Sequence, residues 1–318
     1  MVDKWYLKGM IVKTNGGNHV ATRQTEELHD AALGQDLRAS ADAAALLVEG
    51  QIAAAKSVRS AVFPICEAAR AMAGVIRAGG TLYYVAAGSS GLMAAADAME
   101  LGGTFSIPAA QIRILMAGGI PTTPAMPGDT EDDSQALARD LVDLTERDIV
   151  LTISASGSTP YTLAAAKAAR VAGAAVIAIA NNEGAALFAL ADHVICLPTP
   201  PEVLSGSTRM GAGTAQKIAL NMLSTLMAGE LGHVHDGMMV NLRADNIKLR
   251  ERAAGIVCRV SGASETTALA ALNATCGDVK AAILIAAGAT SPEQANALLK
   301  DTAGHLRPAL EKLKRAET

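Results

Sequence analysis

Two short turns rich in serine and glycine carry the hydroxyls and the compliant backbone that suit a phosphate group. Ala87-Gly88-Ser89-Ser90-Gly91 follows the apolar run 82–86, and Ser154-Ala155-Ser156-Gly157-Ser158-Thr159 follows the apolar run 149–153. Each leads into a helix-like stretch. At the carboxyl end of a parallel strand, where a helix begins, backbone amides converge and the helix dipole favours an anion. A nest of amides with several hydroxyls receives a dianion without needing a lysine. The candidate phosphate ligands are therefore Gly88, Ser89, Ser90, Ser154, Ser156, Gly157, Ser158 and Thr159, with Ser207 of a third turn, Ser205-Gly206-Ser207-Thr208, as an addition. One such turn is as readily a helix cap, since Ser158-Thr159 stand before Pro160 in the order of a helix start. Three on separate segments point to a phosphorylated small molecule.

Other phosphate chemistries fit less well. A dinucleotide fingerprint requires G-x-G-x-x-G and an acidic residue about 20 positions on, at the end of the next strand. Here position 86 is alanine and the next strand ends Leu115-Met116-Ala117. The chain contains no G-x-x-x-x-G-K-[ST] loop, and neither serine turn forms the G-x-S-x-G elbow of hydrolases. His233, His235 and Asp236 alternate as metal ligands might, but a polar turn at a helix end is the better reading of them. Lys217 reads as an interface or cap-neutralising residue, and His193, beside Asp192, as a structural histidine. Cys66, Cys196, Cys258 and Cys276 are far apart, with no zinc spacing, and read as buried free thiols. No metal and no cofactor is expected.

The elements that must position these turns follow from pattern. At 318 residues the chain can hold one large domain or two. Half of it is hydrophobic and only 3% aromatic, with alanine throughout, which suits closely packed helices. A net charge of -4 leaves no basic footprint for nucleic acid. The first twenty residues lack the roughly 7–15-residue apolar core of a signal peptide, and no uninterrupted apolar run reaches about 18 residues. The expectation is a cytoplasmic metabolic protein that engages neither membrane nor nucleic acid.

Residues 1–20 read as a flexible segment, and 21–79 as helical, ended by Gly79-Gly80. Strands are predicted at 81–86, 112–116, 148–153, 174–180 and 193–197. Helices at 92–101, 132–144, 160–171 and 184–190 alternate with them. That alternation implies βαβ units and a doubly wound α/β sandwich, its parallel sheet covered on both faces. Beyond residue 207 the pattern is helical: 208–231, 243–260, and short amphipathic helices at 264–272, 278–286, 291–299 and 305–314. Residues 21–260 are read as the ligand-binding domain with its N-terminal helices, and 261–318 as a small helical domain.

The run Ser154-Ala155-Ser156-Gly157-Ser158-Thr159 matches the S-x-S-G-x-T pattern of sugar isomerase (SIS) domains, which hold phosphosugars. The longer run Pro201 to Met210, with Ala212-Gly213-Thr214-Ala215-Gln216-Lys217 and Asn221-Met222-Leu223-Ser224-Thr225, resembles the signature of N-acetylmuramic acid 6-phosphate etherases, shared by the glucokinase regulatory proteins. The resemblance is good over about 80–260 and poor before it. It implies an SIS-type five-stranded parallel sheet with helical N- and C-terminal extensions. The implied assembly is a homodimer with its site at the subunit interface, binding a phosphosugar substrate. It also implies a lyase that cleaves the D-lactyl ether of N-acetylmuramic acid 6-phosphate, or of a related sugar phosphate, by elimination and hydration.

The family's D-A-S-E segment, whose glutamate is catalytic, is matched by Asp97-Ala98-Met99-Glu100, and its G-A-E-D segment by Asp129-Thr130-Glu131-Asp132. The resemblance thus makes Glu100 and Glu131 the acid/base pair, one at the lactyl oxygen and one at C2, in either allocation. Departures accompany it. Leu92 and Ser158 stand where the family has arginines, Gly211 where it has a lysine, and Leu101-Gly102-Gly103-Thr104-Phe105 where it has C-P-P-T-F. Fewer cations near a sugar acid leave two other readings open, a phosphosugar isomerase and a non-catalytic phosphosugar sensor.

Overall fold

Five apolar runs pair into one parallel sheet. The computed structural model describes residues 24–126, 130, 133–244 and 246–316. In chain order the strands are β1 (Leu82–Ala86), β2 (Ile112–Met116), β3 (Ile149–Ser154), β4 (Ala175–Ala180) and β5 (His193–Cys196), and they lie in the order β2-β1-β3-β4-β5. Every neighbouring pair is parallel. β1 and β3 are buried at every position, as strands covered on both faces must be.

Alternation along the strands separates two cores. Leu82, Tyr84, Leu151, Ile153, Ile177 and Ile179 face one side, against α2 (Val62–Arg77), α3 (Gly88–Phe105) and α6 (Gly211–Glu230). Tyr83, Val85, Val150, Val176 and Ala178 face the other, with Leu137 of α4 (Ser134–Asp140) and Tyr161 of α5 (Pro160–Ala172). Buried alanines at 94 and 98 on α3 and at 215 and 219 on α6 let these two helices pack closely.

The N-terminal stretch is less continuous than its periodicity predicts. Three single-turn 3-10 helices occupy 24–37, before α1 (Ser40–Ser57), and a further 3-10 turn separates α1 from α2. The predicted helix at 184–190 is likewise a 3-10 turn, Ala186–Leu190. After α6 the chain makes a hairpin, β6 (Val234–His235) with β7 (Met238–Met239), around Asp236-Gly237, both at positive φ as a type I′ turn requires.

The remaining helices are α7 (Ile247–Ser261), α8 (Glu265–Ala274), α9 (Val279–Ala286), α10 (Pro292–Asp301) and α11 (Leu306–Ala316). They enclose a second core, in which Val257 of α7 packs with Ala268, Ile283, Leu299 and Ala309. The packing therefore joins α7 to the C-terminal helices, although its sequence lies before residue 261. All four cysteines are free, but none is fully buried as expected. Three are half-buried, and Cys276 is exposed in the positive-φ turn that closes α8. No helix among the described residues is long and apolar enough to cross a membrane.

Candidate functional site

The strand order decides where a ligand sits. In a sheet ordered 2-1-3-4-5 the direction of winding reverses between β1 and β3, and a crevice opens outside the carboxyl ends of those two strands. Both hydroxyl turns emerge there. Ala86 pairs with Ile153, so Ala87 and Ser154 leave the sheet side by side, roughly 4.8 Å apart as neighbouring strands are.

The second turn is a linked chain of hydroxyls. Ser154 Oγ shares hydrogen bonds with Thr159 Oγ1 (2.8 Å) and Ser156 Oγ (3.3 Å), and accepts one from Gly157 N (3.0 Å). Ser156 Oγ accepts from the backbone N and the Oγ of Ser158, both at 3.2 Å. Thr159 occupies the N-cap position of α5 without capping it; its hydroxyl turns to Ser154 instead. Gly157 has φ +68°, and a Cβ there would lie 2.2 Å from that of Ala185. Only glycine allows the loop to pass this close to the end of β4.

The first turn is more open. α3 begins at Gly88, earlier than the apolar pattern predicts, so Ser89 and Ser90 lie in its first helical turn. Ala87, the N-cap residue, has no side chain able to cap. The two serine hydroxyls make no hydrogen bond among the described residues; Ser89 is half-buried and Ser90 buried. Gly91 packs against Met116 at the end of β2, where a Cβ would come within 2.7 Å of the methionine side chain.

Ser207 is half-buried in the loop before α6 and has no side-chain partner among the described residues. The N-terminus of α6 is not open to an anion, because Glu202 already fills it. That carboxylate, 5% exposed, accepts from Gly211 N and Ala212 N at 2.8 Å each. A buried acid completing a helix start nine residues downstream leaves no signal in the sequence.

Glu100 is exposed, twelve residues along α3 from Gly88, which is about 18 Å of helix rise. Within one chain it does not join the hydroxyl turns. Glu131 lies outside the described residues, as does the segment 1–20. One turn before Glu100, Asp97 is 5% exposed and accepts from Asn221 Nδ2 (2.8 Å), Ser224 Oγ (2.9 Å) and Tyr84 OH (3.3 Å). Burial raises its pKa against the lowering effect of those donors. This network pins α3, and with it Ser89, Ser90 and Glu100, to β1 and α6. Sequence reasoning saw Asp97, Asn221 and Ser224 only as letters in motifs.

A second bridge was also missed. Asn182 Nδ2 donates to Ala155 O in the hydroxyl loop (2.9 Å) and to Thr25 Oγ1 (3.1 Å), while Thr25 N donates to Asn182 Oδ1 (3.2 Å). The N-terminal segment thus reaches the rim of the site. His233 and His235 lie elsewhere, against the C-terminal helices. Burial, with Lys280 nearby, pushes the His233 imidazole down to about 4. Among the described residues no group of three or more His, Cys, Asp or Glu is arranged to hold a metal ion.

Comparison with known proteins follows the same lines. The family model of the SIS domain matches residues 125–226. Over 290 residues the chain is 39% identical to the N-acetylmuramic acid 6-phosphate etherase of Deinococcus radiodurans, covering 91% of this chain and 95% of that one. The chain belongs to the N-acetylmuramic acid 6-phosphate etherase family. The Streptomyces coelicolor etherase is 43% identical over 235 residues, 73% of this chain and 75% of its own. Among solved structures, a phosphoheptose isomerase from Francisella tularensis superimposes at a TM-score of 0.46 with 21% identity, over 60% of this chain and 100% of that one. In this etherase-family chain, Glu202 fills the start of α6, and Asn221 and Ser224 tie α6 to α3 through Asp97.

Proposed function

We propose that the protein is a carbon–oxygen lyase that cleaves the D-lactyl ether of N-acetylmuramic acid 6-phosphate. The carrying observation is the pair of hydroxyl turns at the switch between β1 and β3 in a chain 39% identical to an etherase over nearly its whole length. Ser89, Ser90, Ser154, Ser156 and Thr159 hold the phosphate of the sugar, with Gly88, Gly157, Ser158 and Ser207 shaping or extending the cradle.

The chemistry runs on the ring-opened sugar, whose C1 aldehyde acidifies the C2 proton. One glutamate removes that proton and the other protonates the lactyl oxygen as the C3–O bond breaks. This releases D-lactate and an α,β-unsaturated aldehyde. Water then adds its oxygen to C3 and a proton returns to C2, giving N-acetylglucosamine 6-phosphate. We assign Glu100 to the lactyl oxygen and Glu131 to C2. Positioned proton transfers of this type typically contribute about 10²–10⁴-fold each.

The distance of Glu100 from the turns of its own chain favours a homodimer in which it serves the partner's phosphate. Unpartnered apolar side chains support that assembly. Leu33, Leu37 and Phe63 on the N-terminal elements are 87%, 86% and 78% exposed, and Met99, next to Glu100, is 59% exposed. Large apolar side chains this exposed are ones that an interface between copies would cover.

Incubation of the protein with N-acetylmuramic acid 6-phosphate, followed by enzymatic assay of D-lactate, tests the reading. Lactate should appear with the wild type and with the surface control Glu311→Gln, and not with Glu100→Gln. Saturable binding of the sugar phosphate without lactate would instead favour a sensor.

A further inference from the structure

Glu26 has no part in the chemistry above, yet the fold holds it beside the phosphate loop. Asn182 Nδ2 binds Ala155 O of that loop and Thr25 Oγ1 at once, so the two oxygens are kept within a few ångströms of each other. Thr25 is 2% exposed and returns its own N–H to Asn182 Oδ1. The residue after it is thereby fixed in place. Its backbone is fastened from the other side as well, where Ser205 Oγ donates to Glu26 O (3.4 Å) and Glu27 O (3.3 Å).

The carboxylate itself lies over the third serine turn. Glu26 Oε2 is 3.7 Å from where a Cβ on Gly206 would be, and Gly206 has none. The side chain is exposed and makes no hydrogen bond or ion pair among the described residues. An ionised carboxylate accepts hydrogen bonds and donates none. Like charge disfavours a phosphate group beside it, and its natural partners are the O–H and N–H donors on the uncharged part of a phosphosugar.

We infer that Glu26 is a specificity-determining residue that accepts hydrogen bonds from the hydroxyl and amide donors of the sugar whose phosphate the Ser154–Thr159 loop holds. The inference rests on the phosphosugar reading of that loop and extends it to the other end of the ligand. It also gives the N-terminal segment a role in the site, through the buried Thr25–Asn182 pair.

Calorimetric titration of the full chain with N-acetylglucosamine 6-phosphate and, separately, with inorganic phosphate tests it. Affinity for the sugar phosphate should fall about tenfold or more in Glu26→Ala, as expected for a hydrogen bond to a charged group. Glu26→Gln, whose amide oxygen still accepts, should recover part of that loss. Binding of inorganic phosphate should be unchanged or tighter in both variants, since a repelling charge is gone. An equal loss for both ligands, or no loss for the sugar phosphate, overturns the inference while leaving the phosphosugar reading intact. Wild-type protein that binds neither ligand overturns both.

Discussion

Replacing Gly157 by alanine tests how tightly the hydroxyl loop is built. Two costs follow from the geometry. The backbone sits at φ +68°, where a residue with a Cβ pays about 1–2 kcal/mol. The added methyl would lie 2.2 Å from Ala185 Cβ and 3.0 Å from Ala180 Cβ, and overpacking of this kind costs about 1–3 kcal/mol. Neither neighbour can swing aside as a long side chain would. Ala180 ends a central strand, and Leu187 N donates to Gly157 O, holding the turn after Ala185 against the loop. The loop must therefore shift, which pulls Gly157 N away from Ser154 Oγ and disturbs the linked hydroxyls. Total destabilisation should be roughly 2–5 kcal/mol, read from urea melts. The double variant Gly157→Ala with Ala185→Gly removes the closer clash but not the strained φ, and should regain stability relative to Gly157→Ala alone. A loss below about 0.5 kcal/mol, within the range of an indifferent surface change, or a double variant that regains nothing, would refute the reasoning.

Three further outcomes are expected. Glu202→Ala uncaps α6, leaving Gly211 N and Ala212 N without their acceptor, and should cost about 1–3 kcal/mol in thermal or chemical melts. Ser156→Ala removes the hydroxyl that two groups of Ser158 share and should weaken phosphosugar binding by about 1–3 kcal/mol in calorimetry. His233 gives stability a pH dependence. Its imidazole stays neutral in the fold down to about 4, whereas an unfolded histidine takes a proton near 6.5, so the unfolded state binds more protons between those values. The contribution is therefore present above about pH 6.5 and lost as pH falls toward 4, by roughly 2–3 kcal/mol. Melts across that window should show a shallower slope for His233→Asn than for the wild type.

The sheet was legible because each strand is a short apolar run bounded by glycine or turn residues, and the alternation with helices leaves few topologies. The hydroxyl turns were legible for a related reason: serine and glycine clusters at strand ends are unsuited to the core and suited to an anion. What escaped was carried by contacts between residues far apart in sequence. Thr25 meets Asn182 across 157 positions and Asp97 meets Ser224 across 127, and no periodicity reports such pairs. The hairpin around Asp236-Gly237 did have a local signal, the Asp-Gly pair, but the strands beside it are two residues each, too short to alternate visibly. The N-terminal 3-10 turns at 24–37 carry helix-like composition, yet Thr25 is their only buried residue, so little packing is available to extend them into regular helix. Glu100 was named from its motif alone, and its exposed position on α3 explains why one chain's pattern could not connect it to the turns.

The central claim is that the crevice between the ends of β1 and β3 holds the phosphate of a sugar. A crystal structure of the protein soaked with N-acetylglucosamine 6-phosphate tests it most directly. The account predicts phosphate oxygens within about 2.6–3.2 Å of the hydroxyls of Ser89 or Ser90 on one side and Ser154, Ser156 or Thr159 on the other. A phosphate bound elsewhere, with the loop hydroxyls still bonded to one another and the crevice empty, would contradict it.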